Sequence, residues 1–342
     1  MKYLTLFFLL KTASLFGQDS ISRIAFGSCG HQDKPLTIFQ TIVNHQPDLF
    51  IFLGDNIYGD TDKMCELKRK YRKLRRNENF KKLEETTPII ATWDDHDYGF
   101  DDIGRYYSKK EQSKKIFLNF FKEPRNSDRQ KHKGIYTSYY YTMNGKTLQI
   151  ILLDNRTFRD NLLPYDGSLK NDTNYRYTLD YSPIPSADST FLGDEQWKWL
   201  ENELLKPADV RIIGSSTQFA TQYNGYETWS NMPYEQQKML DLIKSTNAKG
   251  VFFISGDVHY SELSKLENSE FYPIYDLTCS GLTEEWKFAT HNKYRIGKPV
   301  MENHFGIIDI NWNLQNPTIS LEVWDFKNTR RIQQLIHLDE LK

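Results

Sequence analysis

Asp48-Leu49-Phe50-Ile51-Phe52-Leu53-Gly54-Asp55-Asn56-Ile57-Tyr58 runs from a short apolar stretch straight into a turn of ligand-type side chains. Aliphatic and aromatic residues stopped by Gly and Asp read as a buried strand. The pattern recurs along the chain. Arg23-Ile24-Ala25-Phe26 runs into Gly27-Ser28-Cys29, and Pro88-Ile89-Ile90-Ala91-Thr92 into Trp93-Asp94-Asp95-His96-Asp97. Leu148-Gln149-Ile150-Ile151-Leu152-Leu153 meets Asp154-Asn155-Arg156, and Val210-Arg211-Ile212-Ile213 meets Gly214-Ser215-Ser216-Thr217-Gln218. Last, Val251-Phe252-Phe253-Ile254 runs into Ser255-Gly256-Asp257-Val258-His259. In α/β sheets ligands bind beyond the carboxyl ends of the strands, so these endings are where a site would be built.

Between the runs lie helical stretches at Leu36–Asn44, Lys63–Glu84, Ser108–Phe121, Asp194–Leu205 and Glu235–Ser245. That alternation predicts an α/β sheet covered by helices. Other parts read as antiparallel. Ile135–Thr142 and Lys146–Leu153 flank an Asn144-Gly145 turn, a hairpin signal, and strands are expected at Phe305–Trp312, Thr318–Phe326 and Arg331–Leu338. The expected fold class is α/β (α+β), a pair of mixed sheets sandwiched between helices. No repeat, low-complexity tract or linker divides the sequence, so residues 18–342 read as a single domain.

The chain has 342 residues, 39% hydrophobic and 26% charged, ordinary for a soluble globular protein with a substantial core. Its 44 basic and 45 acidic residues leave a net charge of -1, without the basic excess of a dedicated nucleic-acid binder. The basic run Lys68–Arg76 reads as the solvated face of a helix, or else as a polyanion patch. Residues 1–17, with Lys2, an apolar stretch and small residues before Gln18, fit a secretory signal too short to span a membrane. A periplasmic or extracellular location is expected, with no transmembrane segment and a monomeric state. Of the three cysteines, Cys29 sits among the candidate ligands and is taken as a free thiol. Cys65 and Cys279 either pair or are both thiols.

Asp55, Asp95, Asp257 and His259 are hard or borderline donors of the kind that di- and trivalent metals take. Asp257 and His259 stand two apart after a strand, a spacing that points both to one side if strand geometry persists. Asp55 follows a glycine that lets the chain turn sharply, a position suited to bridging two metals, which about 3.5–4 Å apart clamp the oxygens of a phosphoryl transfer. Cys29 and Tyr58 add soft and phenolate donors, favouring iron or zinc over magnesium. Each Asp taken singly is also a turn former. The packed acids of Trp93-Asp94-Asp95-His96-Asp97, however, would repel one another without a cation or a hydrogen-bond network.

Together the clusters Gly27-Ser28-Cys29, Gly54-Asp55-Asn56-Ile57-Tyr58, Trp93-Asp94-Asp95-His96-Asp97, Leu153-Asp154-Asn155-Arg156 and Ser255-Gly256-Asp257-Val258-His259 resemble those of the PhoD-like alkaline phosphatases, within the calcineurin-like metallophosphoesterases. The resemblance implies a four-layer αββα sandwich with metals at the sheet edges, Fe(III) with Ca(II), another divalent metal such as Zn being the alternative. Position by position it makes Cys29 and Tyr58 iron ligands, Asp55 the bridging carboxylate and Asp95 the counterpart of the superfamily's motif Asn. His96 becomes the group that assists the transition state or leaving group, and Asp257 and His259 the paired ligands of the last motif. Arg156 is the candidate for gripping a phosphate oxygen, since guanidinium binds phosphate bidentately; the alternative is a salt bridge with Asp154. Gln218 is a further candidate contact to substrate. The tail after His96 departs from some relatives, and its Asp101 and Asp102 either add a calcium ligand or cap a helix.

The implied activity is that of a secreted metal-dependent phosphoric ester hydrolase acting on a small phosphate ester. It would use a metal-activated hydroxide, with monoesters as the first expectation. The competing readings are a phosphodiesterase or phospholipase-type activity at the same site, and a non-catalytic metal- or phosphate-binding protein.

Overall fold

A computed structural model of the protein describes residues 21–167, 176–267 and 270–342; the expected signal segment lies outside them. Two mixed sheets carry the fold. The first has six strands in the order Arg330–His337, Thr318–Asp325, His304–Asn311, Arg23–Gly27, Leu49–Leu53, Ile89–Thr92. Its last three are parallel and the rest antiparallel. The second has seven, in the order Arg295–Val300, Ser261–Leu266, Ile274–Cys279, Val251–Ser255, Val210–Ser215, Lys146–Leu152, Thr137–Met143, with a parallel centre from Ile274–Cys279 to Lys146–Leu152.

Strand alternation builds the layers. Leu49, Ile51 and Leu53 pack inward with Leu148, Ile150, Ile212 and Ile254 of the other sheet in one core. Phe50 and Phe52 point the other way, onto Phe39, Leu67, Leu74 and Phe80 of the helices outside. Ile151, Ile213 and Phe253 do the same on the far side, against Trp197, Leu200 and Met239. With period 2, each strand feeds a sheet–sheet core and a helix–sheet core. The result is the expected four-layer αββα sandwich.

Two expectations change. The helix read over Lys63–Glu84 is two helices, Met64–Arg76 and Glu78–Thr86. Asn77 between them is extended, and its side-chain oxygen accepts from the Asn79 and Phe80 amides, a cap that ends one helix by starting the next. On the first of them Leu67, Tyr71 and Leu74 are buried, and from its basic run Lys70 Nζ turns inward to donate to the Tyr58 and Gly59 carbonyls at 2.9 and 2.8 Å. Cys29, Cys65 and Cys279 are all free thiols, Cys65 exposed and the other two buried, which settles the open pairing.

Gly54 ends its strand at φ +107, where a Cβ would lie 2.5 Å from Asp94 Cβ and 2.8 Å from Asp94 N. Gly145 of the hairpin turn also has positive φ (+75) but nothing within 4 Å. Gly145→Ala should therefore cost only the left-handed strain of about 1 kcal/mol. Gly54→Ala adds a backbone collision and should cost at least about 2 kcal/mol more. Urea unfolding of both variants checks the difference.

Candidate metal centre

The strand endings converge. The Cys29 amide donates to the Gly54 carbonyl at 3.3 Å, Gly30 N to the Asp55 carbonyl at 2.8 Å, and Ser28 N to the Cys279 carbonyl at 3.1 Å. These bonds zip the first loop to a neighbour in its own sheet and to one in the opposite sheet. Cys29, Asp55, Asp257 and His259 all have positive φ, at 59, 48, 81 and 42°. Non-glycine residues hold that conformation only where their surroundings impose it, and such strain gathers at functional sites.

Three groups of ligand atoms form, each with its members within 4.8 Å of one another: Cys29, Asp55 and His259; Asp55, Asp95 and His96; Asp94, Asp95 and Asp257. Asp55 belongs to two of them, and so does Asp95. The Cys29 thiol lies 3.4 Å from Asp55 Oδ2, and the Tyr58 hydroxyl 3.0 Å from His259 Nε2. Every candidate ligand named from the sequence is thus in this cluster or touching it, and Asp94 joins them.

The cluster suits a cation. Asp55 Oδ1, Asp94 Oδ2 and Asp95 Oδ1 are buried without a hydrogen bond. Burial, reinforced by the Asp95 charge, holds the Asp55 carboxyl well above the usual range. Burial together with Asp94 and Glu227 does the same to Asp257. Burial, then Asp55, also pushes the Cys29 thiol up. A bound cation reverses that logic by favouring the anions, so loading would release protons. Carboxylates, imidazole, thiol and phenol form a mixed hard and soft donor set that fits a transition metal beside a harder ion.

Two buried carboxylates hold the loops but are not among these groups. Asp97 accepts from Asn56 N and Nδ2, Ile57 N, Asp94 N and the Tyr71 hydroxyl, at 2.8–3.3 Å, tying the Gly54–Tyr58 turn to the Trp93–Asp97 turn. Asp154 accepts from Trp93 Nε1, Ile135 N, Thr157 N and Oγ1, and Arg156 N.

Arg156 lies elsewhere than a substrate-gripping residue would. Its guanidinium is fully buried: Nε donates to Asp94 Oδ1, Nη1 to Glu227 Oε2 at 2.8 Å, and Nη2 lies 3.6 Å from Asp95 Oδ1. The alternative partner, Asp154, meets only its backbone amide. Asp94 and Glu227 are themselves buried, and buried charges must be paired. Gln218, also buried, donates to Glu262 Oε1 and Thr278 Oγ1 at 2.8 and 3.0 Å, which commits its amide nitrogen to the sheet interior. Asp102 donates its amide to Asp95 Oδ2 at 2.7 Å and accepts from the Tyr181 hydroxyl, whereas Asp101 is largely exposed, 3.8 Å from His96 Nε2.

Sequence reasoning missed Asp60, Glu227 and Asp94 as site residues. Asp60 Oδ1 lies 2.6 Å from His96 Nδ1 and fixes the ring. Burial alone would lower the His96 pKa, but the Asp55, Asp60 and Asp95 charges outweigh it and raise it to about 11. Asp95 is likewise buried, yet Arg156 and His96 pull it down to about 2. Glu227 sits in a loop whose residues carry no pattern, and its ion pairs with Arg156 and Arg159, at 2.8 and 3.0 Å, mark it.

A family model described as PhoD-like phosphatase matches residues 24–292. Alkaline phosphatase D of Bacillus subtilis is 24% identical over 291 residues, covering 71% of this chain and 46% of the relative, so the chain spans about half that relative's length. Among solved structures, PhoD aligns over 93% of this chain and 71% of its own with a TM-score of 0.60 and 18% identity. The GAP50 anchor of the Plasmodium inner membrane complex aligns over 93% of this chain and 89% of its own (0.56, 14%), and a dimetal phosphatase from Danio rerio over 94% and 100% (0.55, 12%). At such identities these structures share the fold. No described helix is long and apolar enough to cross a membrane.

Replacing Arg156 by Met leaves buried Asp94 without its ion-pair partner, while Glu227 keeps Arg159 at 3.0 Å, and should cost about 3–5 kcal/mol of stability. Arg156→Lys should recover only part of it, since an ammonium cannot reach three carboxylates with a planar fork. Denaturant unfolding in chelator, which removes any metal contribution, measures both.

Proposed function

The chain belongs to the PhoD-like phosphatase family, and from that premise we propose that it is a secreted, metal-dependent phosphoric ester hydrolase acting first on monoesters. The observation that carries this reading is the overlap of ligand groups at Asp55, a shared carboxylate between two adjacent metal positions. Cys29, Tyr58, Asp55 and His259 would hold one metal, and Asp55 and Asp95 the second, with Asp94 and Asp257 grouped beside Asp95. Fe(III) with Ca(II) suits the division into a softer and a harder donor set. When bound, the metals supply positive charge for the phosphoryl oxygens and acidify a water.

The protein's own part is to position and to move a proton. His96, held by Asp60 through Nδ1, keeps Nε2 for the leaving oxygen. The Asp60 carboxylate at Nδ1, which is not among the metal-ligand groups, favours the charged ring, the form a general acid needs. Arg156 and Gln218 act in this reading by orienting their carboxylate neighbours.

Purified mature protein, assayed for metal content and for hydrolysis of one aryl monoester and one aryl diester with and without calcium, tests the proposal. Bound iron and calcium-dependent release, faster from the monoester, is the expected result. A faster diester gives the phosphodiesterase reading instead. Metal without turnover on either ester would favour a binding protein, and failure to take up any metal would end the site assignment. His96→Ala should retain its metal and lose about 10²–10⁴-fold in turnover.

A further inference from the structure

Between the strands Ile274–Cys279 and Arg295–Val300, a loop carries Trp286 and Phe288 away from the metal-ligand cluster toward solvent. It starts at the cluster. Leu282 N donates to the Ser28 carbonyl, Thr283 N to the Cys29 carbonyl at 3.1 Å, and Trp286 N to the His259 carbonyl at 3.0 Å. Its far end is tied down at Thr290, whose hydroxyl meets the Tyr260 hydroxyl at 2.7 Å and accepts from Asn224 Nδ2 at 3.0 Å.

The rings it presents are continuous. Trp286 sits edge-on to His259 with centroids 5.8 Å apart. Phe288 stacks on Trp286 at 5.4 Å and 25°, and Tyr177 on Phe288 at 5.2 Å and 23°. Tyr226, the residue before Glu227, closes the group at 4.9 Å from Trp286. On the other side Tyr58 lies 4.2 Å from His96 and His31 stacks on Tyr58 at 4.7 Å. A satellite core would bury such rings. Here Phe288 is 39% exposed, and Trp286, Tyr177 and Tyr226 are half-buried.

We propose that Trp286 and Phe288, backed by Tyr177 and Tyr226, form a subsite for the leaving group of the phosphate ester, selecting esters of planar aromatic alcohols, aryl or nucleoside, over simple alkyl esters. The inference rests on the phosphoric ester reading above and names its substrate class. With the phosphorus at the ligand cluster and the leaving oxygen at His96, the esterifying group would extend past Tyr58, which touches both His96 and His259, toward the pinned loop beside His259. Stacking on Trp286 and Tyr177 holds Phe288 in place, and its exposed part offers an aromatic contact from which a planar group gains more than a flexible alkyl chain. Loop rigidity removes the entropy cost of ordering the face on binding.

Titration calorimetry of the metal-loaded protein with phenylphosphonate and methylphosphonate tests the subsite without turnover. The wild type should bind the phenyl compound about tenfold more tightly, on the scale of one ring stacked on an aromatic platform. Phe288→Ala should erase the preference and Phe288→Tyr keep it; Trp286→Leu gives an independent second reading. Equal affinities in the wild type, or a preference that survives both Phe288→Ala and Trp286→Leu, would overturn the subsite. In kinetics, Phe288→Ala should lower the ratio of kcat/KM for phenyl phosphate to that for glycerol 3-phosphate by about tenfold. A fall in kcat/KM shared equally by both esters would likewise overturn it. A wild type that prefers phenylphosphonate but hydrolyses neither ester would leave the subsite standing and remove the hydrolase reading.

Discussion

The structure depends on burying many carboxylates in one place. Asp55, Asp94, Asp95 and Asp257 converge at the strand ends with Glu227 and Asp102 behind them. Unpaired, such charges would neutralise by taking up protons, and the upward shifts of Asp55 and Asp257 show that pressure. Arg156 answers it from behind, reaching Asp94, Asp95 and Glu227 with one guanidinium. From the front the unsatisfied oxygens of Asp55, Asp94 and Asp95 leave a place for cations. Arginine is thereby the fixed counter-ion of the site, and metal the exchangeable one.

The fold provides the rigidity this requires. Parallel strands from both sheets end at the same edge, and the loops beyond them are cross-tied by backbone bonds and by the two carboxylate clamps, Asp97 and Asp154. Four candidate ligand positions keep left-handed backbone angles against their own preference. Such strain persists only when the surrounding structure over-determines it, and it holds donor atoms where a relaxed loop would not. The same stiffness extends to the aromatic loop, anchored at the cluster and at Thr290. Reaction centre and solvent-facing ring surface therefore share one frame.

Proteins of very different described roles use this sandwich, from a dimetal phosphatase to an anchor of a membrane complex. What distinguishes one from another is which side chains stand at the strand ends. In this chain several of those positions carry ligand-type residues, and His96 has a carboxylate partner at Nδ1.

The sequence by itself determined the six strands that run into polar clusters and the order of those motifs, because period-2 burial and glycine- or Asp-terminated turns are local properties. The strands Ser261–Leu266, Ile274–Cys279 and Arg295–Val300 were not legible in it. It also named the candidate donors from Cys29 to His259, since residue chemistry needs no coordinates. Where it went astray, distant partners decided. Asn77 splits a helix that periodicity alone would continue, by offering its side chain to the next turn. Arg156 has Asp154 two residues away in the chain, yet its side chain is held by Asp94 and Glu227, 62 and 71 residues distant. Asp60 meets His96 across 36 residues, and Cys65 and Cys279 remain thiols because one lies on an outer helix and the other in a buried strand. Which donor serves which acceptor is settled by the packing of two sheets, because a buried charge takes the partner that folding brings within reach, however far away in sequence.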